Sequence, residues 1–167
     1  MGITQPTAKA WAGVLEASFV IFFLQPHFRN FSKRIIKAPK VYFYDSGLLC
    51  YLLRIQSPDI LNVHPLRGQI FKNWFITEVM KDYFCKGNEA PLYFWRDQHG
   101  HGVDLVKDRG DYLDLTEIKS SETFHPDFIN QMKWLNKLQK KSAGSVVYAG
   151  SENFIFQDYN ILSWLSI

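Results

Sequence analysis

Between residues 66 and 84 the apolar side chains fall at 70, 71, 74, 75, 76, 79, 80, 83 and 84. That spacing predicts one long helix from Leu66 to Phe84. Its apolar residues wrap most of the circumference, so it must be central and largely buried. A helix of this kind needs layers around it, and the chain supplies them in order. Three strand candidates follow, Leu92 to Trp95, Gly102 to Val106 and Tyr112 to Lys119, separated by loops containing Gly100, Gly102 and Gly110. A second helix is expected from Pro126 to Lys140 and a strand from Ser145 to Tyr148. A short strand at Phe154 to Phe156 and a last turn at Ile161 to Leu165 close the chain. The order α-β-β-β-α-β implies an α/β fold, a mixed sheet with helices on its faces.

The N-terminal third has a different pattern. Thr4 can cap a short helix reaching Leu15, with Pro6 in its first turn and Trp11, Val14 and Leu15 as its apolar stripe. Phe19 to Leu24 reads as a buried strand ended by Pro26, and Val41 to Tyr44 as a second strand. Between them lies a basic run with Arg29, Lys33, Arg34, Lys37 and Lys40, interleaved with Phe28, Phe31 and Ile35-Ile36. Asp45-Ser46-Gly47 is a turn able to cap a helix from Leu48 to Leu53. Helix, strand, basic connection and strand have the shape of the C-terminal half of a winged helix, with the basic run at the wing. Residues 1–55 are therefore expected to form a partial winged-helix segment, 56–65 a linker edged by Pro58 and Pro65, and 66–167 the α/β domain. Charge divides similarly: residues 1–67 carry eight Lys and Arg against three Asp and Glu, and residues 68–167 carry eleven against thirteen. The basic run reads either as a solvated face or as a contact to a DNA or RNA backbone.

Several classes are excluded. Cys50 and Cys85 form no CxxC or Cys/His cluster, which argues against a disulfide framework or structural zinc and for reduced thiols in the cytoplasm. The most apolar stretch, Ala17 to Leu24, is far short of the ~20 residues that cross a bilayer, and no signal-peptide pattern is present. No GxxxxGK[ST] occurs, so no ATP site is expected in this chain.

The residues most able to carry chemistry are Asp104, Glu117 and Lys119. Alternation along a strand points Glu117 and Lys119 the same way, on the face shared with Leu113 and Leu115. A carboxylate and an ammonium on an apolar face are costly unless paired or bound to a metal. If the strands of Asp104 and Glu117 pair, the two carboxylates can converge and offer hard oxygen ligands to Mg²⁺ or Mn²⁺, with Lys119 beside an attacking water. Glu78 falls among Ile70, Phe71, Trp74 and Phe75 on the long helix and is the candidate fourth member. The alternative is a structural, salt-bridged cluster. His99-Gly100-His101 lacks acidic or cysteine partners at ligand spacing and reads as an exposed loop.

Trp95-Arg96-Asp97, Val103-Asp104-Leu105-Val106 and Glu117-Ile118-Lys119-Ser120-Ser121, in this order, resemble the PD-(D/E)xK nuclease-like domain found C-terminal to many prokaryotic AAA-type ATPases. Upstream, Lys37, Lys40, Tyr42, Phe43, Asp45, Gly47 and Leu48 match the signature between its winged-helix and nuclease-like parts. The resemblance implies a restriction-endonuclease-like core preceded by a partial winged helix. In active members the residues matching Asp104 and Glu117 hold Mg²⁺, the one matching Lys119 serves hydrolysis, and a helix Glu often completes the set. Two departures stand out. Lys72 occupies the position of a Glu near the start of the family's helix, and Gly102 a position that is commonly acidic. Glu78, six residues on from Lys72, lies about 600° around the helix and so on another face. The expected function is nucleic-acid binding, with metal-dependent cleavage as its active form. The alternative is an inactive scaffold that docks an ATPase module or a protein partner.

Overall fold

The structure, a computed structural model, describes residues 2–27, 38–138 and 142–167. In chain order the elements are α1 (Gln5–Ala17), β1 (Ile21–Pro26), β2 (Lys40–Phe43), α2 (Ser46–Leu52), α3 (Pro58–Val63), α4 (Arg67–Cys85), β3 (Leu92–Arg96), β4 (Gly102–Asp108), β5 (Leu113–Lys119), α5 (Asn130–Leu138), β6 (Ser142–Tyr148), β7 (Phe154–Phe156) and β8 (Tyr159–Ser163). A 3-10 turn, Pro126–Ile129, leads into α5. Among the described residues the strands form one mixed sheet in the order β2-β1-β3-β4-β5-β6-β8-β7. The meander β3-β4-β5 is antiparallel, and β6 and β8 add to it in parallel. This is the α/β class expected, a mixed sheet flanked by helices.

Two apolar layers hold the sheet. On one face, Phe75, Ile76, Val79 and Met80 of α4 pack with Phe22, Phe94, Leu105 and Ile118. On the other, Ile129, Met132 and Leu135 of the 3-10 turn and α5 pack with Trp95, Val106, Leu115 and Ile161. The long helix is thus the principal element on one face, but it is less buried than its wrap-around apolar pattern led one to expect: Ile70, Phe75, Ile76, Val79 and Met80 are buried, whereas Phe84 is exposed. Its buried residues also include two polar ones, Asn73 and Thr77. The Asn73 side chain accepts from the Phe43 N–H at 2.7 Å and donates to the Phe43 carbonyl at 2.9 Å and to Ser46 Oγ at 3.1 Å. It therefore pairs the open edge of β2 as a neighbouring strand would, satisfying backbone groups that would otherwise lack partners.

Several expectations are corrected. β1 starts at Ile21, later than expected, and ends at Pro26 as expected; it includes Gln25 and the buried Pro26, opposite Phe94, because β1 lies between β2 and β3 and its parallel register continues to that residue. The hairpin β1-β2 is therefore an extension of the main sheet. The segment expected as a linker contains α3, capped by the Ser57 side chain on the Ile60 N–H. The closing turn comes later than expected: Tyr159–Ser163 form a strand, β8, paired along β6, and the turn is the 3-10 segment Trp164–Ser166. The stripe Trp11, Val14 and Leu15 on α1 covers no core: the helix buries none of its residues, although Thr4 caps it as expected. Among the described residues, no helix is long and apolar enough to cross a membrane.

Candidate functional site

One irregularity in the sheet creates the site. Tyr93 pairs with Val106 and Trp95 with Val103, so two steps along β3 face three along β4. The extra residue is a β-bulge, which breaks the alternation of the strand and re-aims its side chains. Val103 and Val106 pack on the α5 side, while Leu105 packs on the α4 side. Asp104, within this bulge, meets α4: Lys72 Nζ donates to its Oδ1 at 2.7 Å, and the Ile118 N–H of β5 donates to its Oδ2 at 3.1 Å. Gly102 opens the strand where a side chain could not fit, since a Cβ there would lie 2.9 Å from the Trp95 carbonyl oxygen.

The turn before β4 is held by Asp97. Its Oδ1 accepts the N–H groups of His99 and His101, both at 2.9 Å, and its Oδ2 faces His101 Nδ1 at 2.9 Å. Gly100 takes φ +92° in the middle of this turn. The His101 ring stacks on Trp134 with 4.3 Å between centroids. The His-Gly-His segment is thus only partly the exposed loop expected: His99 is exposed, whereas His101 is half-buried and part of the turn's structure.

Glu117 follows Asp104 across the β4-β5 pair. It is buried, and its Oε1 accepts from Lys119 Nζ at 2.7 Å, while Oε2 is buried without a hydrogen-bond partner. Burial pushes its carboxyl up to about 7, and the negative charge of Asp104 adds to the rise; Lys119 and then Lys72 work against it. The Lys119 ammonium lies 5.5 Å from the centre of the Phe128 ring.

A cleft of about 510 Å³ opens beside Asp104, lined among others by Lys40, Gln69, Lys72, Asn73 and Arg96. Lys40, the first residue of β2, sits with its ammonium 4.5 Å from the Phe94 ring centre. Burial lowers its pKa, Asp104 opposes the shift, and Lys72 and Arg96 reinforce it. Burial raises the neighbouring Tyr42 phenol, with Asp104 adding to the effect. The upstream motif now has a physical account. Lys40 supplies charge to the cleft, Phe43 is pinned by Asn73, and Asp45 caps α2 by accepting the N–H groups of Gly47 and Leu48 at 2.6 and 3.0 Å.

Lys40 thus borders the cleft with Asp104, whereas Glu117 and Lys119 do not line it, although the Glu117 carboxyl is near enough to feel the Asp104 and Lys72 charges. Glu78 does not join them. It is paired with Lys81 at 2.6 Å and lines a different depression with Asp82, Lys86 and Lys107. The helix geometry explains this, because the α4 residues bordering the cleft are Gln69, Lys72 and Asn73. Arg29, Lys33, Arg34 and Lys37 lie outside the described residues. The sequence reading missed Arg96 as a cleft residue and Lys72 as the partner of Asp104. The signal for Lys72 was its position one residue before the buried Asn73 on the helix that packs against the sheet.

A divalent ion is what the family resemblance leads one to expect here, and the donor set does not fit it. Among the described residues, no group of three or more His, Cys, Asp or Glu gathers at one point. The Asp104 oxygens are engaged by Lys72 and the Ile118 N–H, and the Glu117 oxygen that has a partner by Lys119. At an effective dielectric of about 20, a unit charge 4 Å away is worth about 4 kcal/mol. The Lys72 ammonium would therefore offset much of the attraction that Asp104 offers a dication.

Taken together, a helix packed on a β-meander, a parallel strand after a second helix, and an acidic bulge facing a basic cleft define an α/β domain with a charged site at its strand ends. The chain belongs to the family described as a domain of unknown function, DUF4143, whose model matches residues 67–167. Residues 1–59 match a second domain of unknown function, DUF8612. Two curated relatives, uncharacterized proteins of Mycobacterium tuberculosis and Mycobacterium bovis, are each 29% identical over 164 residues, covering 95% of this chain and 34% of theirs. The chain thus spans about a third of the length of the curated relatives it matches. No solved structure matches it.

Proposed function

We propose that this chain is a PD-(D/E)xK-like module that binds nucleic acid, DNA in the first place, through the cleft beside Asp104. The observation that carries the reading is the charge of that cleft. Among the described residues, Lys40, Lys72 and Arg96 border it against one carboxylate, that of Asp104, and an excess of fixed cations in a recess attracts a phosphate backbone. The Asp104 and Glu117-x-Lys119 arrangement on adjacent antiparallel strands supports the family likeness. The reading is of binding rather than cleavage, since both carboxylates are already paired with ammonium groups. The matched family is usually found with AAA-type ATPases, which makes an ATPase the natural setting for the module.

Fluorescence anisotropy with a labelled DNA duplex tests this. Lys40→Ala and Arg96→Ala should each weaken binding by about tenfold at low salt and reduce the slope of log K against log salt by about 1. Binding and slope unchanged in both variants would refute the assignment of this cleft.

One observation favours a second reading, a scaffold that docks a protein such as the ATPase module. α1, α2 and α3 bury none of their residues, and Trp11, Val14, Phe19, Tyr51 and Val63 are exposed. Where such apolar groups form a contiguous patch, they mark a protein-interaction surface. On that reading Trp11→Ala with Val14→Ala should abolish co-purification with the ATPase partner and leave DNA binding untouched.

A further inference from the structure

The cation that Asp104 needs is already present in the chain. The Lys72 ammonium is 2.7 Å from Asp104 Oδ1, on a side chain 30% exposed toward the cleft. It has three N–H donors, so a bond to Asp104 leaves others for a ligand. On β5, Glu117 Oε2 is buried without a hydrogen-bond partner, and its carboxyl feels the charges of Asp104 and Lys72. The buried Asp104 carboxylate is the oxygen ligand that a hard ion entering the cleft would use, and Lys72 stands on it.

We propose that Lys72 is the resident cation of this site. Its ammonium holds the place on Asp104 that a divalent ion would need, and with Lys40 and Arg96 it receives a phosphodiester oxyanion directly, without metal. The oxyanion part rests on the nucleic-acid-binding reading above; the metal part stands independently of it. A charged donor on a phosphate oxygen forms a short, strong hydrogen bond. An ammonium fixed by a carboxylate is oriented before the ligand arrives, so little ordering is lost on binding.

The test uses the full chain and two probes. In the first, Mn²⁺ is titrated and free ion is read from its paramagnetic resonance signal, with circular dichroism confirming the fold of each variant. The wild-type chain should take up no Mn²⁺ at this site. Lys72→Gln removes the charge and should bind one ion, at least about tenfold above the detection limit set by wild type, and Lys72→Glu more tightly still, by adding an oxygen donor. Asp104→Asn added to either variant should abolish the uptake. Should Lys72→Glu fail to fold, Lys72→Gln alone decides the matter. Wild-type uptake that depends on Asp104, or folded Lys72 variants that take up no ion, would overturn the proposal.

In the second, a labelled DNA duplex is titrated in the presence of a chelator. Wild type should bind it, and Lys72→Gln should weaken binding about tenfold. Binding that requires added Mg²⁺ would overturn the metal-free receptor. A wild-type chain that binds no DNA with or without Mg²⁺ would instead sink the nucleic-acid reading, leaving the Mn²⁺ result to judge Lys72.

Discussion

Replacing Asp97 with alanine should destabilise the fold by about 3 kcal/mol, measured by urea denaturation near neutral pH. The carboxylate is buried at the end of β3 and takes two backbone N–H groups, from His99 and His101, and the His101 ring nitrogen. Hydrogen bonds to a charged group contribute roughly 1.5–3 kcal/mol each, and water recovers part of that in a turn that is partly open. The loss spreads beyond the turn, which holds His101 on Trp134 and starts β4 two residues before Asp104. Asp97→Asn, which keeps one oxygen acceptor, should recover about half. The effect has a defined pH dependence. Burial by itself would raise the Asp97 carboxyl, but the hydrogen bonds from the His101 side chain and from the backbone N–H groups of His101 and His99 together leave it below its usual range. A group depressed on folding contributes stability that is present above its unfolded value of about 3.9 and is lost as pH falls through the folded value. The gap between wild type and Asp97→Ala should therefore be full at pH 6 and narrow below about pH 4. A difference that stays constant into the acid range would show that the charge is irrelevant.

Glu117→Gln should act in the opposite direction. The Glu117 carboxyl is pushed up to about 7, chiefly by burial. A carboxyl raised on folding contributes stability that is complete below the unfolded value of about 4.3 and is lost as pH rises through the folded one. Between about pH 5 and pH 8 the wild-type chain should lose on the order of 2 kcal/mol through this residue, since each tenfold step in proton affinity is worth about 1.4 kcal/mol. Glutamine carries no charge at any pH, so the variant should lack that slope. It should match wild type near pH 5 and exceed it by on the order of 2 kcal/mol near pH 8. The cost of leaving Lys119 without its partner is small, because that side chain is 30% exposed and water can solvate it. A variant less stable than wild type at pH 8 would mean that the Glu117–Lys119 pair outweighs the burial of the charge.

Much of the α/β core is legible in the residues. Periodicity places α4 within a residue of its observed start and end, and the three strands after it appear where alternation and glycine turns put them. Short elements are harder to read. β8, Tyr-Asn-Ile-Leu-Ser, has two polar residues in five and exists because β6 is there to pair with it. α1 has the apolar spacing of a packed helix and buries nothing, because spacing records that a face is apolar and leaves open what covers it.

The candidate site divides in the same way. Glu117 and Lys119 are two residues apart on one strand, so local geometry alone puts them side by side, and they are paired at 2.7 Å. Asp104 depends on a bulge, and a bulge is a mismatch between two strands that cannot be seen in either one. The membership of Glu78 and of Lys72 depends on which face of α4 meets the sheet. An amphipathic helix shows that choice in its sequence; one that is apolar around most of its circumference does not. Residue types and order therefore determined that this chain has an α/β core with an acid–lysine pair on a buried strand. The rotation of one buried helix and one extra residue in β4 decided that Asp104 faces a lysine.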